Sequence, residues 1–230
     1  MYDYESNLRV KRAAKHLIQT VREIGPAGAF RQALGAARRY FGPTRSDPFD
    51  RKHRVDTVRQ VPLWRLNISS PNAEFGVKYQ TVDPDIFKEA VSFVPNSPTD
   101  YVFLDLGCGK GRTLILASEL KFRRAIGVEF SPELAAIARA NATKTGASVE
   151  VYDGDAQTFT PPSDNLVIYM FNPFGPSVLT HVIENLVAWR SRNAAEAFLV
   201  YVNPVHAKLF EGNPGFRPIA STPTARVWAF

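Results

Sequence analysis

The chain has 230 residues, of which 45% are hydrophobic, so it is long enough for one well-buried core and short for two full domains. Its single cysteine, Cys108, excludes an intramolecular disulfide and a cysteine-based metal site, and the four histidines show no ligand spacing. The acidic start is unlike a secretory signal and no stretch approaches the roughly 20 apolar residues of a membrane span, so a cytoplasmic protein is expected.

The first quarter of the chain carries the basic charge. Residues 1–59 hold 13 Lys and Arg against 6 Asp and Glu, whereas the rest holds 15 against 16. Apolar residues at helical spacing predict a helix over residues 7–24 and a second amphipathic helix from about 30 to 41. These basic helices are expected either to bind an anionic partner or to present a solvated charged face.

Residues 42–75 are rich in Pro, Asp, Asn and Ser and are predicted to form an irregular connector that wraps the main domain. The predicted division is therefore a basic N-terminal segment over 1–75 and a main domain over 76–230.

From Tyr79 onward, strand patterns alternate with helix patterns. Asp83-Pro84 predicts a helix start, with Asp as N-cap and Pro in the first turn. Strands separated by helices pair in parallel through right-handed crossovers, whereas the last two strands have no helix between them and predict an antiparallel edge hairpin. The predicted strands are 101–106, 124–129, 148–152, 166–171, 197–202, 216–220 and 225–230, and the predicted helices that follow the first of them are 112–120, 132–143 and 178–189.

The first strand runs into three glycines at alternate positions, Gly107, Gly109 and Gly111, and a helix follows. Glycine allows a sharp turn and the close approach of a ligand, and the helix N-terminus offers free N–H groups. In open α/β sheets ligands bind at the carboxyl ends of the strands. A dinucleotide-binding turn, G-x-G-x-x-G, needs Gly or Ala where this chain has Arg112, so the pattern here is G-x-G-x-G with Asp105 two positions before it.

An acidic residue ends the second predicted strand, and another follows the third. Glu129, in the run Gly127-Val128-Glu129-Phe130-Ser131, can accept hydrogen bonds from both hydroxyls of a ribose, which indicates a nucleoside and not one particular cofactor. Asp155 follows the third strand and could instead be an ordinary loop acid, with Asp153 as a competing candidate.

The fourth and fifth strands both end in Asn-Pro. The fourth continues as Asn172-Pro173-Phe174, and the fifth leads to His206, whose ordinary pKa near neutrality suits a general base. Both endings can also be plain turns, and a lone histidine can be structural.

The glycine turn with its preceding acid resembles motif I of class I S-adenosylmethionine-dependent methyltransferases. The resemblance covers residues 79–230 and implies a Rossmann-like sheet, mostly parallel with an antiparallel C-terminal hairpin, that binds S-adenosylmethionine. The segments Phe49-Asp50-Arg51, Val55-Asp56-Thr57 and 76–80 resemble a bacterial group of such proteins without an assigned substrate.

The resemblance also implies site residues. Cofactor binding is assigned to Asp105, Gly107, Cys108, Gly109, Gly111, Glu129, Phe130, Asp155, Ala156 and Tyr79. Within this set, Asp105 would fix the turn and the amino-acid end of the cofactor, and Asp155 with the backbone N–H of Ala156 would meet the adenine. Tyr79, Gln80 and Thr81 would either cover the methionine end or serve packing alone.

The Asn172-Pro173-Phe174 motif resembles the Asn/Asp-Pro-Pro-Tyr/Phe motif of enzymes that methylate amino nitrogens, but it has one proline and not two. Asn172 is assigned to orienting the methyl acceptor and Phe174 to a wall of its pocket, and the acceptor itself stays unnamed. Two alternatives remain open at this point, a dinucleotide-dependent oxidoreductase and a non-catalytic cofactor-binding module.

Overall fold

The computed structural model describes residues 25–26, 47–59, 81–95 and 97–230. The predicted helices over 7–24 and 30–41, the domain boundary near residue 75, and Tyr79 and Gln80 lie outside these ranges. Within the described ranges, no helix is long and apolar enough to cross a bilayer.

The main domain alternates strands and helices as predicted. The strands are β1 (Val102–Leu106), β2 (Arg124–Glu129), β3 (Val149–Asp153), β4 (Leu166–Phe171), β5 (Ala197–Val202), β6 (Arg217–Ser221) and β7 (Ala225–Ala229). The α-helices are α1 (Pro48–His53), α2 (Pro84–Ser92), α3 (Arg112–Glu119), α4 (Pro132–Thr145) and α5 (Pro176–Arg190), and 3-10 turns lie at Pro98–Asp100 and Ala207–Leu209.

The seven strands form one sheet in the order β3-β2-β1-β4-β5-β7-β6. The first five pair in parallel, whereas β7 pairs antiparallel with both β5 and β6, which confirms the mostly parallel sheet and the C-terminal hairpin. The strand order reverses between β1 and β4, so their carboxyl ends form the crevice in which ligands of such sheets bind.

Apolar side chains cover both faces of the central strands, which is why those strands read as continuous apolar runs. One core contains the inward side of α5 and the C-terminal aromatic residues, and the other contains α2, α3 and Phe49. Asp83 caps α2 as predicted, because its carboxylate accepts the Asp85 N–H at 2.8 Å and Pro84 occupies the first turn.

The prediction of an irregular connector over 42–75 is wrong for residues 48–53, which form α1. Asp47 is its N-cap, accepting the Asp50 N–H at 3.1 Å, and Pro48 stands in its first turn. Phe49 is 7% exposed and anchors the helix in the α2–α3 core. The Pro and Asp content that suggested a loop is therefore a helix start.

Gly127 in β2 is required by close packing against the glycine turn. A Cβ atom at Gly127 would lie 2.6 Å from Cys108 Sγ and 2.7 Å from Leu114 Cδ1, well inside contact distance. Gly127→Ala is therefore expected to lower the free energy of unfolding by about 1–3 kcal/mol, the usual cost of overpacking. Urea unfolding measures it, and Gly154→Ala is the control because nothing lies within 4 Å of a Cβ there. Equal losses in both variants would contradict the packing argument.

Candidate functional site

The glycine turn between β1 and α3 has the backbone that its glycines predict. Gly107, Gly109 and Gly111 have φ of 91°, 53° and 80°, in the left-handed region that favours glycine. The N–H groups of Gly107 and Cys108 both donate to the Val128 carbonyl, at 2.8 and 3.1 Å. The turn is thereby fastened to β2 at the carboxyl edge of the sheet.

At Gly107 a side chain is excluded by a neighbouring segment of the protein as well as by the left-handed backbone. Its Cβ would lie 2.5 Å from Pro173 Cβ and 3.9 Å from Phe174 Cζ, so the space is filled by the loop after β4. At Gly111, a Cβ would lie 3.1 Å from Ala138 Cβ on α4. At both positions the missing side chain admits a neighbouring segment of the protein, and at Gly107 this brings the two predicted halves of the site into contact.

Glu129 ends β2 as predicted, and its side chain is buried. Its carboxylate accepts the Gly109 N–H and the Ser131 N–H, both at 2.9 Å, and the residue is 3% exposed. Burial raises the pKa of Glu129 to about 7 despite these hydrogen bonds. The Phe130 N–H contributes a further hydrogen bond that lowers this pKa. A carboxylate offers about four acceptor sites, so the group can hold the turn and still accept a ligand hydroxyl.

Asp105 is the second buried carboxylate of the site. It is 2% exposed and accepts a hydrogen bond from the Thr113 hydroxyl of α3. Burial raises the pKa of Asp105 to about 7, opposed by the Thr113 hydrogen bond and assisted by the charge of Glu129. Tyr169 lies in register with Asp105, and within the described chain its buried hydroxyl has no hydrogen-bond partner.

A cavity opens beside Asp105. Its lining combines one carboxylate, one guanidinium and several small polar groups, and consists of Thr81, Val82, Asp105, Gly107, Cys108, Arg112, Thr113 and Phe171. Thr81, one of the candidates for covering the methionine end of the cofactor, therefore lines this cavity. The buried carboxylate of Asp105 at this cavity suits the ammonium group of an α-amino acid.

The thiol of Cys108 packs against Gly127 of β2. The side chain is 6% exposed and fills the space above Gly127. Burial, together with the charges of Asp105 and Glu129, raises the pKa of Cys108 well above its ordinary value, so the thiol stays protonated. The backbone N–H of Cys108 holds the turn to Val128, and its thiol lies 4.0 Å from the Gly109 carbonyl oxygen.

The remaining cofactor candidates lie where β2 and β3 end. Asp155 is partly buried and accepts the Gln157 N–H at 2.9 Å, whereas Asp153 is exposed and lies in register with Glu129. Ala156 is 5% exposed and belongs to the α5 core, and Phe130 is partly buried. The structure brings these residues to the same carboxyl edge as Glu129.

Asn172 begins the loop after β4 with a left-handed backbone, φ 42°, and its Oδ1 accepts the Tyr201 hydroxyl at 3.0 Å. Tyr201, from β5, is fully buried and also accepts the backbone N–H of His206. Phe174 is 7% exposed and packs in the α5 core. Tyr201 escaped the sequence analysis because it is one more apolar-looking position of a buried strand.

Arg112, the residue that breaks the dinucleotide pattern, is buried at 4% exposure. Its guanidinium donates to Asp47 at 2.6 Å, to Asp50 at 3.3 Å and, through Nε, to the Thr57 hydroxyl at 2.8 Å. Its Cζ atom lies 4.6 Å from the centre of the Phe49 ring. Arg112 therefore binds residues of the two segments Phe49-Asp50-Arg51 and Val55-Asp56-Thr57.

Lys110, two residues before Arg112, also binds residues of the N-terminal side of the chain. It is 1% exposed, and its ammonium donates to the Arg59 carbonyl at 2.6 Å and lies 3.2 Å from Asp56 Oδ2. Asn141 of α4 donates to the carbonyls of both Asp56 and Lys110 at 3.1 Å. We call residues 47–59 the clasp, because they hold the outer side of the glycine turn.

Part of the chain matches a known protein family. Residues 103–189 match the family model of a methyltransferase domain. An uncharacterized protein of Methanocaldococcus jannaschii is 33% identical over 82 residues, 36% of this chain and 37% of that protein. The match thus spans well under half of that relative's length.

Solved structures share the fold. A candidate RNA methyltransferase from Pyrococcus horikoshii superposes with a TM-score of 0.50 and 17% identity, covering 73% of this chain and 94% of that one. A predicted N6-adenine-specific DNA methylase from Listeria monocytogenes gives 0.51 and 12%, covering 65% and 51%. At these identities the likeness concerns the Rossmann-like sheet alone.

The buried Asp105 predicts a pH dependence of stability. Its folded pKa of about 7 lies above the ordinary 3.8, so between these values the folded chain keeps a proton that the unfolded chain has lost. Stability from this group is therefore present at low pH and falls as pH rises towards 7. We expect Asp105→Asn to remove that fall, so that the Tm difference between variant and wild type is more positive at about pH 8 than at about pH 5. Parallel Tm–pH curves for the two proteins would contradict this assignment.

Proposed function

We propose that this chain, a member of the class I methyltransferase family, binds S-adenosylmethionine and transfers its methyl group to an acceptor held beside Asn172. The observation that carries the proposal is the contact between two strand ends. The glycine turn after β1, fastened to Glu129, touches the Asn172-Pro173-Phe174 loop after β4. A cofactor on the first and an acceptor on the second would meet at the crevice.

The buried acids suit the two ends of the cofactor. Glu129 has lone pairs left for ribose hydroxyls, and charge-assisted hydrogen bonds of this kind are the stronger ones. Asp105 at the cavity suits the ammonium group of the amino-acid end, whereas the Arg112 guanidinium beside it is already paired with Asp47 and Asp50. Asp155 and Ala156 are proposed to meet the adenine, since both lie past the end of β3 on the same edge.

The cofactor supplies an electrophilic methyl group on a sulfonium sulfur. The work of this chain is positioning, because holding a nucleophile about 3–3.5 Å from its target in line with the leaving bond contributes several kcal/mol. Asn172 is proposed to orient the acceptor through its carboxamide, which Tyr201 holds on one side. An amino nitrogen suits that carboxamide oxygen as a hydrogen-bond donor.

Cofactor binding is tested directly by calorimetry with S-adenosylhomocysteine. We expect wild type to bind it, with a stabilisation of roughly 2.7 kcal/mol at about 100 times the Kd. Glu129→Gln should weaken binding about 10- to 150-fold, since a hydrogen bond to a charged group contributes about 1.5–3 kcal/mol. Gln is preferred to Ala because Ala would leave the N–H groups of Gly109 and Ser131 both unpaired.

The matched control is Asp164→Asn. Asp164 forms ion pairs with Arg123 and Arg124 at the opposite edge of the sheet, so its loss should not change the Kd. A wild-type protein that shows no binding and no thermal shift at millimolar ligand would refute the proposed cofactor.

The acceptor side is tested with radiolabelled methyl transfer into a lysate fractionated into protein, nucleic acid and small molecules. Asn172→Ala is expected to lower turnover at least tenfold while the cofactor Kd changes less than about threefold, because its contact is made in the transition state. If the basic N-terminal segment contacts an anionic acceptor, transfer should also weaken with added salt.

Tyr201→Phe is the graded comparison, because it removes one hydrogen bond to Asn172 and leaves the carboxamide in place. Its turnover should fall between those of wild type and Asn172→Ala. Normal turnover in Asn172→Ala, per folded molecule, would show that this segment is only a turn and would move the acceptor pocket towards His206.

A further inference from the structure

The clasp contacts both walls of the cavity beside Asp105. One wall is the glycine turn, whose Arg112 donates through Nε to the Thr57 hydroxyl at 2.8 Å. The other wall is the segment before α2, whose Thr81 hydroxyl donates to the Thr57 carbonyl at 2.8 Å. Thr57 is therefore bonded to both walls, although it does not itself line the cavity.

Thr57 is held in place from within the clasp. It is fully buried, its hydroxyl donates to Asp50 Oδ1 at 2.5 Å, and its N–H donates to Asp50 Oδ2 at 2.8 Å. Arg112 adds a second connection between the walls, because its Nη1 donates to the Val82 carbonyl at 3.2 Å. A single buried polar network thus links the clasp, the turn and residues 81–82.

The position of this network determines which part of a bound ligand it would affect. Its members lie beside Asp105 and Arg112, the charged groups of the cavity, whereas Glu129 and Asp155 lie on the side of the turn towards β2 and β3. A change in the spacing of the two walls would therefore alter the part of the site that meets the amino-acid end and leave the nucleoside part in place.

We propose that Thr57 is a positioning residue that sets the separation of the two cavity walls, so that the clasp selects for the amino-acid end of the cofactor. This inference rests on the proposed binding of S-adenosylmethionine. It makes the clasp a part of the cofactor site, with the buried Arg112 as its partner in the turn.

The test compares two ligands on the full chain by calorimetry: S-adenosylhomocysteine, which has the amino-acid end, and 5′-methylthioadenosine, which lacks it. Thr57→Val, which keeps the shape and removes the hydroxyl, should weaken the first by about tenfold or more and the second by less than about threefold. Thr57→Ser, which restores the hydroxyl, should recover most of the affinity for S-adenosylhomocysteine.

The control for a purely structural loss is Tyr101→Phe. It removes a buried hydroxyl that donates to Glu196 at 2.6 Å at the other end of β1, so it should lower the Tm without changing either Kd. Should Thr57→Val fail to fold, Thr81→Val cuts the other wall's hydrogen bond and should give the same ligand-selective loss.

Equal weakening of both ligands by Thr57→Val, or by Thr81→Val in its place, would overturn the proposal, because it would indicate general loosening of the site. Unchanged binding of S-adenosylhomocysteine would overturn it as well. Failure of the proposed function gives a different result, namely that neither ligand binds to the wild-type protein.

Discussion

The hydrogen bond from the Gly109 N–H to the Glu129 carboxylate is the interaction on which the site depends. It joins the turn after β1 to the end of β2, and the same carboxylate accepts the Ser131 N–H at the start of α4. Because three successive elements share one buried anion, its position determines where a ribose could be held. The acid is therefore both a structural part of the crevice and a candidate ligand-binding group.

Burial of Glu129 close to a second carboxylate, Asp105, disfavours the charged form of both groups. Asp105 and Glu129 are both almost fully buried, and burial raises the pKa of each to about 7. Nearby cations do not relieve them in the described structure, since Arg112 and Lys110 are paired with the clasp. A ligand that carries an ammonium group would offset this cost. The pH dependence of the domain's stability and its affinity for such a ligand therefore have the same origin.

The sequence predicted the elements that depend on local signals. The alternation of apolar strands and helices, the Asp83 cap and the glycine turn all follow from contacts between near neighbours. The partners of Arg112 did not, because Asp47, Asp50 and Thr57 precede it by 55 to 65 residues. The same limit applied to α1, whose Pro and Asp content resembles a loop until Phe49 is seen to enter the core.

The two halves of the crevice are connected through the backbone of one glycine. Gly107 packs against Pro173, so the turn that would carry the cofactor directly contacts the loop that would carry the acceptor. In that loop, Asn172 accepts the Tyr201 hydroxyl, which also accepts the His206 backbone N–H after β5. The positions proposed to bear on methyl transfer therefore form a chain of contacts across four neighbouring strands, from Glu129 on β2 to Tyr201 on β5. Since positioning contributes much of the rate in a displacement of this kind, a rigid connection between the cofactor and acceptor sides is the property the proposed reaction requires most.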